Sequence, residues 1–210
     1  MVDRTILDLD QGDGKVFETV DASGASKRTK RSLLPGIKPP TGLHASEHAV
    51  DSFVQVSAIA EQLIFYPMTA QKTLAITKLL VNATGITAVM NARLGLYNSN
   101  PATRQPGTLL LDGGVVALDL NNGMKSTPTF GAVTLEEGER YWLAAIFDGT
   151  TASFSCYGNA EVPPIFGFDA AGVKQTKLHR TTTYGALPAD ESTQSYTFGT
   201  NTFNPVVFLS

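Results

Sequence analysis

At 210 residues, with 42% hydrophobic and 17% charged side chains, the chain is long enough for one large β domain preceded by an arm. Its net charge of −3 excludes a general affinity for nucleic acid or anionic membrane, and no run of about 18 apolar residues exists to span a bilayer as a helix. The single cysteine, Cys156, excludes an internal disulfide and a Cys-based zinc site.

The opening "MVDRTILDLDQGDGK" is acidic and interrupted, so it is not expected to act as a secretion signal. Residues 1–50 carry one aromatic residue, Phe17, and little else that forms a core. "DLDQGDGK", Asp8 to Lys15, has the acidic spacing of a calcium loop. Gly12 and Asp13 stand in reversed order and Thr19 replaces the closing Glu, so a glycine-containing turn is expected instead. "DASGASKRTKRS" is polar and flexible in composition. "PGIKPPTG", Pro35 to Gly42, reads as an extended connector, because proline fixes φ and removes a backbone donor. Such a leading segment orders only when something ties it down, so residues 1–50 are expected to be an extended arm that packs on neighbouring subunits. Arg4, Leu33, Leu34 and Ile37 are its expected anchoring residues.

Residues 51–210 are expected to form an all-β domain, a jelly-roll-like antiparallel β-sandwich. "SFVQVSAIAEQLIF", Ser52 to Phe65, reads as its first strand, with a short helix as the alternative. "TLAITKLLVNATG" reads as one long strand ending at Gly85. "ARLGLYN" places Leu94 and Leu96 on one face, with Arg93, Gly95 and Tyr97 on the other. "GERYWLAAIFDG" places Tyr141, Leu143, Ala145 and Phe147 opposite Trp142, Ala144 and Ile146. Both faces are apolar, as in a central strand buried on both sides. "TASFSCYGN", "QSYTFGTNTF" and "PVVFLS" complete the set. "NSNPATRQPG", "DGG", "NNG", "EEG" and "DGT" read as the turns between strands.

The run from Ile76 to Gly149 contains "ARLGLYNSN", then "QPGTLLLDGGVV", then "LEEGERYWLA". In that order it resembles a β-sandwich module of tailed-bacteriophage virion proteins, where "RLGIY", "PGTLLLD" and a Leu-x-x-Gly turn before "YWLA" follow one another. "ETVDASGASKRT" is similar to segments of phage tail and fibre proteins. "LHASEHAVD" is similar to their His-x-x-x-His-x-x-Gly-Gly-x-Asp stretch, but its continuation Ala49, Val50, Asp51 lacks the family's glycines. The resemblance covers about a third of the chain. It implies a structural component of a virion, in a tail, baseplate, fibre or head decoration, whose partners are copies of itself and other virion proteins. It implies no chemistry.

Several residue groups bear on other functions. His44, Glu47 and His48 have inverted zinc-protease spacing, which on a helix sets two imidazoles one turn apart beside a general base. The prolines upstream leave no room for a helix of useful length, and only Asp112 and Asp119 downstream offer a third ligand. No metal site is therefore expected; His44 and His48 stand only as candidates for a metal held between symmetry-related arms. "KRTKR", Lys27 to Arg31, lacks the interleaved aromatics that stack bases, so a neighbour's carboxylates are its expected partners and nucleic acid is not. Cys156 reads as a core thiol, and His179 has no nucleophile partnered with it at a motif. No catalytic set and no cofactor are expected. Tyr97, Arg104 and Tyr184, in or beside loops, are the expected outward contacts, because loops at sandwich ends carry binding surfaces. A carbohydrate-binding adhesin for host adsorption is the alternative from another class.

Overall fold

The computed structural model describes residues 7–10, 15–20, 26–30, 44–45, 53–70, 72–157, 166, 170–171, 175–200 and 207–209. Two compact units divide the chain between Lys38 and Pro39, inside the proline-rich connector and ahead of the expected boundary at 50/51. All described secondary structure is β, and the ladders between named strands are antiparallel, with one isolated parallel bridge between Ala60 and Phe147.

In the first unit β1 (Leu7–Asp10), β2 (Lys15–Val20) and β3 (Ser26–Lys30) form a three-stranded meander. Asp10 stands opposite Lys15, and the expected glycine-containing turn at Gly12 lies outside the described residues. The basic run enters β3, with Arg28 in register opposite Glu18 of its own sheet. Arg4, Leu33, Leu34 and Ile37 lie outside the described residues.

The second unit holds two large sheets. One has the order β10-β9-β13-β6-β15-β16, made of β6 (Gln62–Thr69), β9 (Met90–Ser99), β10 (Pro106–Leu118), β13 (Arg140–Phe147), β15 (Gln175–Thr181) and β16 (Thr197–Thr200). The other has the order β4-β17-β8-β14-β5, with β4 (His44–Ala45), β5 (Phe53–Ser57), β8 (Leu79–Ile86), β14 (Ala152–Tyr157) and β17 (Val207–Leu209); β11 (Gly123–Ser126) also pairs with β8. A small ladder joins β7 (Leu74–Ile76) to β12 (Val133–Leu135).

The two-sided reading of "RYWLAAIF" holds. Tyr141, Leu143, Ala145 and Phe147 enter one apolar cluster, whereas Trp142, Ala144 and Ile146 enter another. The first cluster is shared by the two sheets: Leu94 and Leu96 meet Leu79, Val81, Phe154 and Cys156, and the Phe147 and Phe154 rings sit 4.9 Å apart. Cys156 is a core thiol there, as its strand alternation indicates. The second cluster lies on the other face of the β13 sheet, beneath the connection that follows β15. Leu187, Tyr184 and Tyr196 of that connection close over Leu63, Phe65, Tyr97 and Trp142.

Three expectations change. "SFVQVSAIAEQLIF" is two strands, because β5 belongs to one sheet and β6 to the other; Glu61, at φ 55°, sits at the crossing. "TLAITKLLVNATG" breaks at Thr77–Lys78, so that β7 can pair with β12 and β8 with β14. "DGG" is no turn. It is a β-bulge inside β10, where the register shifts between Asp112 and Val115 and Gly114 adopts φ 82°.

Candidate functional site

The sequence Ser-Asn-Pro-Ala-Thr-Arg-Gln-Pro links β9 to β10 at one end of the β13 sheet. Asparagine builds this loop, since its side-chain carbonyl can replace a backbone acceptor. Asn100 Oδ1 accepts the amide of Ala102 at 2.9 Å, and the Asn100 carbonyl accepts the Arg104 amide at 2.8 Å. The Asn100 amide closes the loop on Gln105 O at 2.8 Å, and Asn98 Oδ1 accepts the Thr108 amide at 2.7 Å. Arg104 is held at φ 59°, a left-handed conformation unfavourable for a residue with a Cβ.

Beside it the "EEG" turn delivers Arg140 to the start of β13. Gly138 takes φ 81°, the left-handed position that favours glycine. Its amide donates to Ala70 O at 2.8 Å, and the Ala70 amide donates to Glu139 O at 3.0 Å, which fixes the turn to the end of β6. The β13–β6 register sets Arg140 opposite Thr69. Strand alternation then puts Thr69, Ser99 and Arg140 on the same face as Trp142, and the Trp142 indole N–H reaches Ser99 Oγ at 3.4 Å. Thr69, Ser99, Pro101, Arg104, Gly138, Glu139 and Arg140 together line a cleft of about 430 Å³. Among the described residues neither Arg104 nor Arg140 forms an ion pair.

The three expected outward residues part company. Arg104 is exposed on this cleft. Tyr97 is not a surface contact: it is 0% exposed, packs edge-on against Phe65 at 5.3 Å, and donates its hydroxyl to Pro188 O at 2.8 Å. Burial raises its pKa, with Glu191 and Asp112 adding to the effect. Its placement follows from the post-β15 connection, which covers the face it was expected to show. Tyr184 is half-buried near the opposite end of β9, its hydroxyl 3.4 Å from Ala92 O. Ala92 and Ser99 are seven strand residues apart, roughly 23 Å, so Tyr184 does not join the cleft.

Other charged groups hold the fold together. Asp112 accepts Arg93 Nε at 2.8 Å, the Gly114 amide at 3.0 Å and the Leu187 amide at 3.2 Å. Burial pushes its carboxyl up, but these donors outweigh it and leave the group below the usual range. Asp119 pairs with Lys125. Both carboxylates once open to a metal are thus engaged elsewhere. His44 lies in strand β4, opposite Leu209 of β17, not on a helix, and His48 lies outside the described residues. Among the described residues no group of three His, Cys, Asp or Glu is placed to hold a metal, and no helix is long and apolar enough to cross a membrane.

Sequence reasoning missed Arg140, Ser99, Thr69 and Glu139 as cleft residues. The available signal was that "EEGER" and "NSNPATRQPG" flank strands that a central β13 would bring together. It also missed Lys177. That residue is 3% exposed, and burial lowers its pKa to about 8, with Cys156 acting the other way. Burial first, then Lys177, lowers the pKa of His179 on the same strand face. Comparison with protein-family models finds no match, and comparison with curated proteins finds none.

Proposed function

We propose that the chain is a structural protein of a bacteriophage virion, placed in the tail, baseplate or fibre apparatus. Its leading region docks into the particle, with Arg4, Leu33, Leu34 and Ile37 as anchoring residues, and a jelly-roll-like β-sandwich displays its loops. One observation carries this reading. The segments "ARLGLYN", "QPGTLLLD" and "RYWLA", which bear the resemblance to virion proteins, are adjacent strands in the order β10-β9-β13. They form one structural unit, as a recurring module requires. The low fraction of charged residues, 17%, and the antiparallel two-sheet core suit a protein that packs in copies. No catalytic step is assigned.

The test is incorporation. An epitope-tagged chain expressed during infection by the encoding phage is expected to band with infectious particles in a density gradient. A version lacking residues 1–38 is expected to stay folded and to remain at the top. Absence of the full-length chain from the particles refutes the proposal. A second reading, a host-adsorption adhesin or a head decoration protein with an adhesive face, draws support from the cleft at the loop end, where Arg104 and Arg140 converge.

A further inference from the structure

We infer that the cleft between the 99–106 loop and the Glu136–Arg140 turn is a subsite for a carboxylate-bearing sugar. Arg104 and Arg140 take the carboxylate, and Glu139 and Ser99 take ring hydroxyls. This deepens the adhesin reading of the cleft and rests on it.

The cleft's volume, about 430 Å³, lies within the range of small-ligand sites. Arg104 and Arg140 both line it, and among the described residues neither forms an ion pair with a carboxylate. Like charges brought to one concavity repel each other, and a bound anion removes that cost. A carboxylate suits arginine better than a spherical anion does, because planar forks pair in parallel. The remaining lining separates the anions. Glu139 adds a negative charge that disfavours phosphates and polyanions but accepts hydrogen bonds from hydroxyls. Ser99 Oγ accepts from the Trp142 indole, which can only donate, so its own proton is left to donate elsewhere. Among the described residues Pro101 is the one apolar side chain lining the cleft, and no aromatic ring lines it to stack a base. The ligand chemistry that matches one net positive charge with several polar partners is a hydroxylated ring bearing one carboxylate.

The frame is built before any ligand arrives. Arg104 keeps its left-handed backbone because the Asn100 and Gln105 hydrogen bonds over-determine the loop. Strain of this kind persists where the surroundings enforce it, and it cuts the ordering cost of binding. The Gly138 face is open, since a Cβ added there meets nothing within 4 Å.

Calorimetric titration of the full chain with oligosaccharides ending in glucuronic, galacturonic or sialic acid tests the inference. Each is paired with its carboxyl-reduced counterpart, and inorganic phosphate serves as a further arm. At least one acidic sugar is expected to bind saturably, at least tenfold more tightly than its reduced form and than phosphate. Arg104→Gly and Arg140→Ala are each expected to weaken it tenfold or more. Arg104→Gly is also expected to raise Tm, so that its loss of binding is not a loss of fold. Binding of reduced sugars alone overturns the acidic-sugar inference and leaves the adhesin reading standing. No sugar binding in any arm overturns both. Equal competition by phosphate overturns the sugar assignment, and binding unchanged in the two arginine variants overturns the location.

Discussion

Gly95→Ala tests how the connection after β15 is locked onto the β13 sheet. A Cβ at position 95 would lie 2.1 Å from Leu187 Cδ1 and 2.8 Å from the Leu111 carbonyl oxygen. Leu187 is only 5% exposed, so it must leave its site or push the sheet apart. Expelling a buried leucine costs about 1.5–3 kcal/mol, and overpacking against backbone costs about 1–3 kcal/mol. A strand alanine recovers about 0.5–1 kcal/mol relative to glycine. The net loss is about 1.5–5.5 kcal/mol, roughly 3–20 °C in Tm for a chain of this size. Urea denaturation measures it directly. Amide exchange should quicken at Leu187 and Leu109, whose N–H groups bond Asp112 and Ala189 across the same contact. Leu187→Ala removes the atom that clashes, so Gly95→Ala/Leu187→Ala should be about 1.5–3 kcal/mol more stable than the two losses summed. Strict additivity, or a Gly95→Ala protein as stable as the parent, refutes the locking.

Three further outcomes are expected. Arg104→Gly should gain about 0.5–1 kcal/mol, since the left-handed penalty of roughly 1–2 kcal/mol exceeds the added chain entropy; a fall in Tm contradicts the strained-loop account. Arg180→Ala should lose about 3–5 kcal/mol, because Glu191 is 0% exposed and bonds Arg180 Nε at 3.0 Å, and Arg180→Met/Glu191→Leu should recover most of that in thermal melts. Lys177 sits at a pKa of about 8 in the folded chain, against about 10.5 when unfolded, so the unfolded state binds more protons between these values and stability rises with pH there, by at most about 3 kcal/mol. Above about pH 10 the buried Tyr97 and half-buried Tyr196, whose pKa values are raised mainly by desolvation, oppose this rise, and Lys177→Met should flatten the slope between pH 8 and 10; an unchanged slope contradicts the burial effect.

The parts of the fold visible in the sequence are those set by short-range alternation. β13 declared both buried faces through an unbroken apolar run, and β14 declared Phe154 and Cys156 against Ser153 and Ser155. Chain reversals between sheets were not visible. Nothing local in "AIAEQ" states that β5 and β6 belong to different sheets. Tyr97 looked exposed because it borders a loop, yet its partner Pro188 is 91 residues away. Lys177 lies in a polar-looking run, and its burial depends on β6 and β16 closing around it. Arg104 was legible from its loop. Arg140 was not, because only the pairing of β13 with β6 and β9 brings it beside the same cleft.

Direct imaging by cryo-electron microscopy of the phage particles to which the proposed function assigns the chain tests the central claim most plainly. The account predicts density for residues 39–210 at a repeated position, residues 1–38 clasped by neighbouring subunits, and the Arg104 loop facing solvent. Particles that are complete and infectious with no density for the chain contradict it.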